Sequence, residues 1–328
     1  MKKIVELLII LLVSTFWSCD NEVKINAEFE EVTVIYGLLN QNADTQFVKI
    51  NKTFLDDEKS AIDLANDPNQ LFYDSLTVSL IEETSGSEIF LSPLELPKKP
   101  GAFTNERNTI YFTEQNIESN KSYRLQVVKP DGSISTGKTA IIDTVYVKKP
   151  FFGLAVPFVD RNGSIDRYRF DFETGNNVAE FEVVMNFKFT EIIGSDSIQR
   201  TVRIPLSKFT NSTLEPFTVF PFNFDGLQFF KAIEAQVPAS VNPTKKVIFP
   251  RDNLDIEIFA ADEDYSFYRE LNGPIDGLAQ TRPEFTNITD GYGLFASRLS
   301  MIYPSRINDD TRIYIVNEYK DTRNFSFP

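Results

Sequence analysis

"FEVVMNFKF", Phe181 to Phe189, puts Phe181, Val183, Met185, Phe187 and Phe189 at every second position. A period of two sends alternate side chains to opposite faces, which fits a half-buried strand and no helix. Neighbouring segments follow the same rule. "YRFDF" (Tyr168–Phe172) alternates, and so does "YRLQVVK" (Tyr123–Lys129). The latter runs through Pro130, Asp131 and Gly132, strong turn chemistry, into "ISTGKTAII". "EEVTVIYGLL" (Glu30–Leu39) and "QFVKINKTF" (Gln46–Phe54) read as strands joined by the polar "NQNADT". "DSLTVSLIEE" meets "EIFLSPL" across "TSGS" (Thr84–Ser87), and "RIYIVN" (Arg312–Asn317) reads as a closing strand. Short strands with frequent turn signals predict a mainly β chain.

Three stretches break the period. "KSAIDLANDPNQ" (Lys59–Gln70) has Ile62 and Ala65 at helical spacing and is ended by Pro68, which predicts a short helix lying on the strands. "FDGLQFFKAIEAQV" (Phe224–Val237) spaces Leu227, Phe230, Lys231 and Ile233 as one helical face after an Asp225 cap. "NLDIEIFAADED" is a strand running into a further helix, "DYSFYRELN" (Asp264–Asn272). A chain of 328 residues usually divides in two. The expected arrangement is an N-terminal immunoglobulin-like β-sandwich over residues 28–143. A second β-rich domain follows over 144–328, with short helices near 225–237 and 263–272.

Composition removes several chemistries. The chain has no histidine, so it holds no Ser-His-Asp triad, Cys-His pair or His-containing zinc site. Its single cysteine forms no internal disulfide. A net charge of −14 with no basic block leaves no electrostatic footprint for nucleic acid, and anionic headgroups would repel such a surface. Thirty phenylalanines supply ample core, so stability rests on packing.

The one cysteine lies in "STFWSCDNE" (Ser14–Glu22). Lys2 and Lys3, the apolar run Leu7–Val13 and the small Ser18 have the order of a secretory signal. The apolar run is too short to span a bilayer, which takes about 20 residues. Cysteine directly after a small residue resembles a bacterial lipobox, with Phe16 and Trp17 in the looser form of Bacteroidetes lipoproteins. The resemblance implies a lipoprotein signal peptide over residues 1–18, lipidation of Cys19 and a tether over 19–27. "DNE" (Asp20–Glu22) resembles the acidic tract that sends such lipoproteins to the cell surface; the alternative is the periplasmic face of the outer membrane.

Four further motifs have both a chemical and a structural reading. "GYGLFA" (Gly291–Ala296) matches a dinucleotide fingerprint, but strand-like sequence follows where a helix is needed, so the glycines read as a turn. "DRNGSID" (Asp160–Asp166) resembles the middle of a calcium loop. Phe158 and Arg169 stand where carboxylates should, and a plain turn is expected. "DEDYSFYRE" (Asp262–Glu270) reads as acids capping a helix N-terminus. "DSL", "DTV" and "DSI", starting at Asp74, Asp143 and Asp196, resemble a glycosylation triplet of the same bacteria, at a frequency chance would supply.

With the strands placed, the whole chain after the signal resembles a family of uncharacterised Bacteroidetes outer-membrane lipoproteins, a domain of unknown function. The matching stretches are "VIYGLLN" (Val34–Asn40), "VKINKTFL" (Val48–Leu55), "DLANDPNQLFY" (Asp63–Tyr73), "YRFDFETG" with "FKFTE", and "RPEFTNITDGYGLFASR" (Arg282–Arg298). The resemblance implies an anchored lipoprotein and assigns no catalytic residue. The expected function is a non-enzymatic binding or accessory subunit of an outer-membrane complex. It would bind membrane through the lipid anchor, engage a protein complex or a glycan, and use no metal, cofactor or nucleic acid. The alternative is a carboxylate-dependent glycoside hydrolase acting on surface polysaccharide, since such enzymes need no histidine.

Overall fold

The computed structural model describes residues 31–54, 59–239, 244–273 and 284–328. The chain is mainly β, with 46% of residues in strands and 16% in helices. The alternating stretch is the middle of β10 (Glu180–Ile193), and its five apolar side chains are all buried. β11 (Asp196–Thr210) turns back along the whole of β10, and β14 (Leu254–Ala261) covers the other edge. The outer face of these strands is laced by charge pairs, Lys188 with Asp255 at 2.7 Å and Arg203 with Glu257 at 3.0 Å.

β8 (Val145–Lys149), β9 (Arg167–Thr174) and β12 (Val219–Asp225) form a separate three-stranded sheet. Their aromatic rings join those of β10 in one core, where Phe172 meets Phe181 at 6.0 Å between ring centres. α3 (Gly226–Gln236) starts where expected, capped by the Asp225 carboxylate accepting from the Leu227 N–H. Its buried face differs from the expected one. Gly226, Phe229, Phe230 and Ile233 are buried, whereas Leu227 and Lys231 face outward. Gly226 explains the rotation, because a Cβ there would lie 2.4 Å from the Asp166 carbonyl. That close approach turns Phe229 inward, between Phe158 at 4.6 Å and Phe187 at 5.2 Å.

The expected closing strand at 312–317 is instead part of α5 (Asp309–Arg323). End signals decide the matter over the β preference of its Ile, Tyr and Val. The Asn308 side chain accepts from the Thr311 N–H, acids occupy the first turn, and Lys320 and Arg323 occupy the last. Asn324 ends the helix in the left-handed conformation. Thr311, Ile315 and Tyr319, four residues apart, form the buried stripe. After it, β17 (Phe325–Ser326) pairs in parallel with β13 (Lys245–Val247).

The N-terminal strands are β1 (Thr33–Leu39), β2 (Gln46–Lys52), β3 (Thr77–Glu82), β4 (Glu88–Glu95), β5 (Thr109–Thr113), β6 (Ser122–Val128) and β7 (Ile134–Ala140). They run in the order β7–β6–β3–β4–β5–β2–β1 and share the first of two cores, the aromatic core around β10 being the second. Residues expected in the other domain complete this core. β15 (Ile288–Thr289) pairs with β7, and β16 (Tyr292–Ser305) pairs in parallel with β1. Ile288 and Phe295 are buried in the first core, and a Cβ on Gly137 would lie 2.8 Å from each. The expected boundary near residue 143 therefore does not divide the sheet. β16 pairs with β1 through Ser297 and with β14 from Arg298 onward, so one strand belongs to both halves.

The handover point is fastened by Asp262, the N-cap of α4 (Glu263–Asn272). One carboxylate oxygen accepts from the Tyr265 N–H; the other accepts from the Ser297 N–H at 2.6 Å and the Thr139 hydroxyl at 2.8 Å. Burial, helped by the charge of Asp264, pushes this carboxyl up to about 6 against the pull of those bonds. Glu263, Asp264 and Lys138 line the same hollow. The folded chain thus holds the proton more tightly than the unfolded chain, whose carboxyl keeps the ordinary 3.8. The contribution is whole below about pH 4 and is lost as pH rises through about 6, a change of ~3 kcal/mol. In Asp262→Asn this loss should vanish, which denaturant unfolding at pH 4 and pH 7 would measure; parallel stability profiles for the two chains would contradict it.

Candidate functional site

Cys19 and the stretches expected as signal peptide (1–18) and tether (19–27) lie outside the described residues. The other motifs have structural work. "GYGLFA" is the start of β16, and Gly293, at φ +117°, sits against the β1 backbone. In "DRNGSID", the Asp160 carboxylate accepts from the Asn162 and Ser164 N–H groups, Gly163 turns at φ +79°, and Phe158 is fully buried. "DEDYSFYRE" is α4 with its cap, and Asp264 accepts from the Asn287 amide at 2.7 Å. Deeply buried Glu180 is held by Lys208, by Arg269 at 3.1 Å and by the Ser266 hydroxyl at 2.9 Å. Of the glycosylation-like triplets, Ser75 and Ser197 are exposed, whereas the Thr144 hydroxyl contacts the Met301 sulfur at 3.3 Å.

A site that no motif announced lies on the outside of the first core. Period two in β2 buries Val48 and Ile50 and turns Lys49 and Asn51 to the other face, beside Val34 of β1. The insertion expected as one helix over 59–70 is two short ones, α1 (Ala61–Asn66) and α2 (Pro68–Leu71). Ser60 caps the first. Asp67 ends it and caps the second, and Pro68 stands at the opening position, where its missing N–H costs nothing. The Asn51 amide donates to the Leu71 carbonyl at 3.0 Å and ties α2 to the strand face. The Thr104 N–H donates to the Ala65 carbonyl at 2.9 Å and brings the segment after β4 alongside.

These pieces enclose a cavity of about 370 Å³. Val34, Phe54, Leu71, Phe72 and Phe103 give it apolar walls. Lys49, Lys52 and Lys98 are its charged lining residues, and no acid lines it among the described residues. The Lys49 ammonium lies 4.5 Å from the centre of the Phe72 ring, and that of Lys98 lies 5.3 Å from Phe103. Lys49 donates to the Asn108 side-chain oxygen at 2.8 Å and to the Thr109 carbonyl at 2.9 Å. An ammonium carries three donors, so these two bonds leave one for a ligand. Burial first, then repulsion from Lys98, lowers the Lys49 ammonium to about 8, with Glu95 opposing the fall. Glu95 itself accepts from the Asn108 N–H at 2.9 Å and from the Thr109 hydroxyl, which holds its carboxyl low despite burial.

Arg107 braces the wall. Its guanidinium lies 5.5 Å from the Phe72 ring centre and donates to the Tyr73 carbonyl at 2.6 Å. Only the alternation of "QFVKINKTF" hinted that Lys49 and Asn51 share an outward face. Lys98, Phe103 and Asn108 come from a stretch with no periodic signal. A further hollow of about 300 Å³ lies between β1 and α4, where Tyr36 and Tyr268 meet edge to face at 6.2 Å.

No family model matches the chain, and no curated protein matches it. Among solved structures, it is similar to the C-terminal globular domain of an oligosaccharyltransferase from Pyrococcus abyssi, at 10% identity over 85% of this chain with a TM-score of 0.18. The chain spans about half, 49%, of that structure's length.

Proposed function

We propose that the chain is an exported lipoprotein, acylated at Cys19 and held at the outer membrane with its β-rich body at the cell surface. There it works as a non-enzymatic binding or accessory subunit of an outer-membrane complex. The cavity over β2 carries the binding part of this reading. It has the size, apolar walls and few placed polar groups of a small-molecule site. Its lining side chains are engaged in stacking and hydrogen bonds, an arrangement suited to holding a ligand. In this reading the first core belongs to an immunoglobulin-like sandwich that presents the site on its outer face.

The anchoring part rests on Lys2, Lys3, the apolar run and Cys19 in their signal-like order. No helix among the described residues is long and apolar enough to cross a membrane. Two or more acyl chains on Cys19 would give stable attachment, at about 0.8 kcal/mol per buried methylene. Replacing Cys19→Ala should therefore move the chain out of the membrane fraction, as read by fractionation and immunoblot. Retention of the Cys19→Ala chain in washed membranes would refute the anchor. Native purification in a mild detergent is expected to recover a membrane partner with the wild-type chain.

A further inference from the structure

We infer that the cavity over β2 takes an organic anion: one carboxylate or phosphate head on an aryl or short alkyl body. This rests on the binding role proposed above and names the ligand class of the same site.

The argument is one of charge against background. The chain as a whole is acidic, at −14, yet the cavity is lined by three lysines and no acid among the described residues. The three ammonium groups favour an anion over a cation. The position of the lysines matters as much as their sign. Lys49 lies part-buried against Phe72, where water screens it less than it would a surface lysine. Burial first, then repulsion from Lys98 and Arg107 against the pull of Glu95, lowers its proton affinity, and an incoming anion would relieve the repulsion. Asn51, Thr53, Thr104 and Asn108 add neutral polar groups, and Val34, Leu71, Phe72 and Phe103 offer rings and branched chains to the body of the ligand. A hydrated inorganic ion would leave those walls unused. A neutral hydrocarbon would leave the third N–H of the part-buried Lys49 ammonium without an acceptor, which is costly. An anion with an apolar body satisfies both parts of the lining.

The occupant's charge also sets a pH dependence. Lys49 is charged below about 8 and neutral above it. Lys52 pairs with Glu31 at 3.4 Å and Lys98 is exposed, so the part-buried Lys49 is the group whose charge state should govern the site.

The test uses the wild-type full-length chain in dodecyl maltoside, titrated by calorimetry with four water-soluble probes. These are 4-phenylbutyrate, phenyl phosphate, 4-phenylbutanol and 4-phenylbutylamine. At pH 7, at least one anion should bind tenfold or more tightly than both the alcohol and the amine. Raising the pH to 9 should weaken that anion severalfold and leave the alcohol unchanged. Lys49→Gln should abolish the anion preference and its pH dependence, and Phe103→Ala should weaken every probe that binds. Lys98→Ala, at an exposed position, gives a variant that keeps the fold and should still lower anion affinity. Binding of the alcohol or amine within threefold of the anions, with the Phe103→Ala effect retained, would overturn the ligand class and leave the binding role standing. No saturable binding of any probe and no response to Phe103→Ala would overturn both.

Discussion

Gly293→Ala should cost the fold roughly 4 kcal/mol or more, among the largest effects open to a single methyl group. Gly293 faces Ile35 in the parallel pairing of β1 with β16, at φ +117°. A Cβ there would lie 1.9 Å from the Ile35 carbonyl oxygen and 2.8 Å from its carbon. The obstacle is backbone, not a side chain that can swing aside, and the conformation is one that side-chain-bearing residues rarely adopt. Relief therefore requires the two strands to part. Parting them removes Phe295, fully buried, from the first core. Urea unfolding should show a much lower midpoint, and proteolysis should cut more rapidly near β1 in the variant. A midpoint within error of wild type would mean that the parallel pairing is not as described.

Phe229→Ala should destabilise the second core by about 3–5 kcal/mol, the usual cost of deleting a buried ring. Phe229 is fully buried and touches three rings, those of Phe158, Phe187 and Phe230. These come from β10, from the loop before β9 and from α3 itself, so no single segment can collapse into the space. Leu227→Ala on the same helix is the matched control. Leu227 is 43% exposed, and its loss should change stability by no more than about 0.5 kcal/mol. The pair discriminates between the two faces the helix could have presented. Equal losses at both positions would place Leu227 inside and refute the observed rotation.

That rotation shows where sequence reasoning stops. Helical spacing in Phe224–Val237 identified the element and its Asp225 cap, because both are local properties. It did not identify the buried face, because the helix carries apolar residues on more than one side. The deciding contact, Gly226 against the Asp166 carbonyl, joins segments 60 residues apart in sequence. α5 failed differently: four β-favouring residues in "RIYIVN" outweighed capping signals that sat just outside the stretch being read. The strict alternation of Phe181–Phe189 was legible because a strand buried on one face leaves period two in the sequence. The cavity was almost illegible. Its cations come from β2 and from the irregular segment after β4, and only the β2 alternation places any of them on a face. "DLANDPNQLFY" was visible as a helical insertion, but nothing in it says that Leu71 and Phe72 close over Lys49.

The parallel pairing of β1 with β16 also bears on how the polypeptide is made. Val34 meets Tyr292, so β1 leaves the ribosome well ahead of a partner encoded more than 250 residues later. At about 5–20 residues per second, that wait lasts on the order of ten to fifty seconds. Throughout it, β1 has an open edge of unsatisfied amide and carbonyl groups, the kind of surface on which nascent chains aggregate. Hairpins such as β3–β4 and β6–β7 can close as they emerge, whereas the β1 edge cannot be sealed until β16 has been made. Its biogenesis should therefore lean on factors that shield an unfinished chain, and premature termination anywhere before residue 292 would leave that edge permanently open.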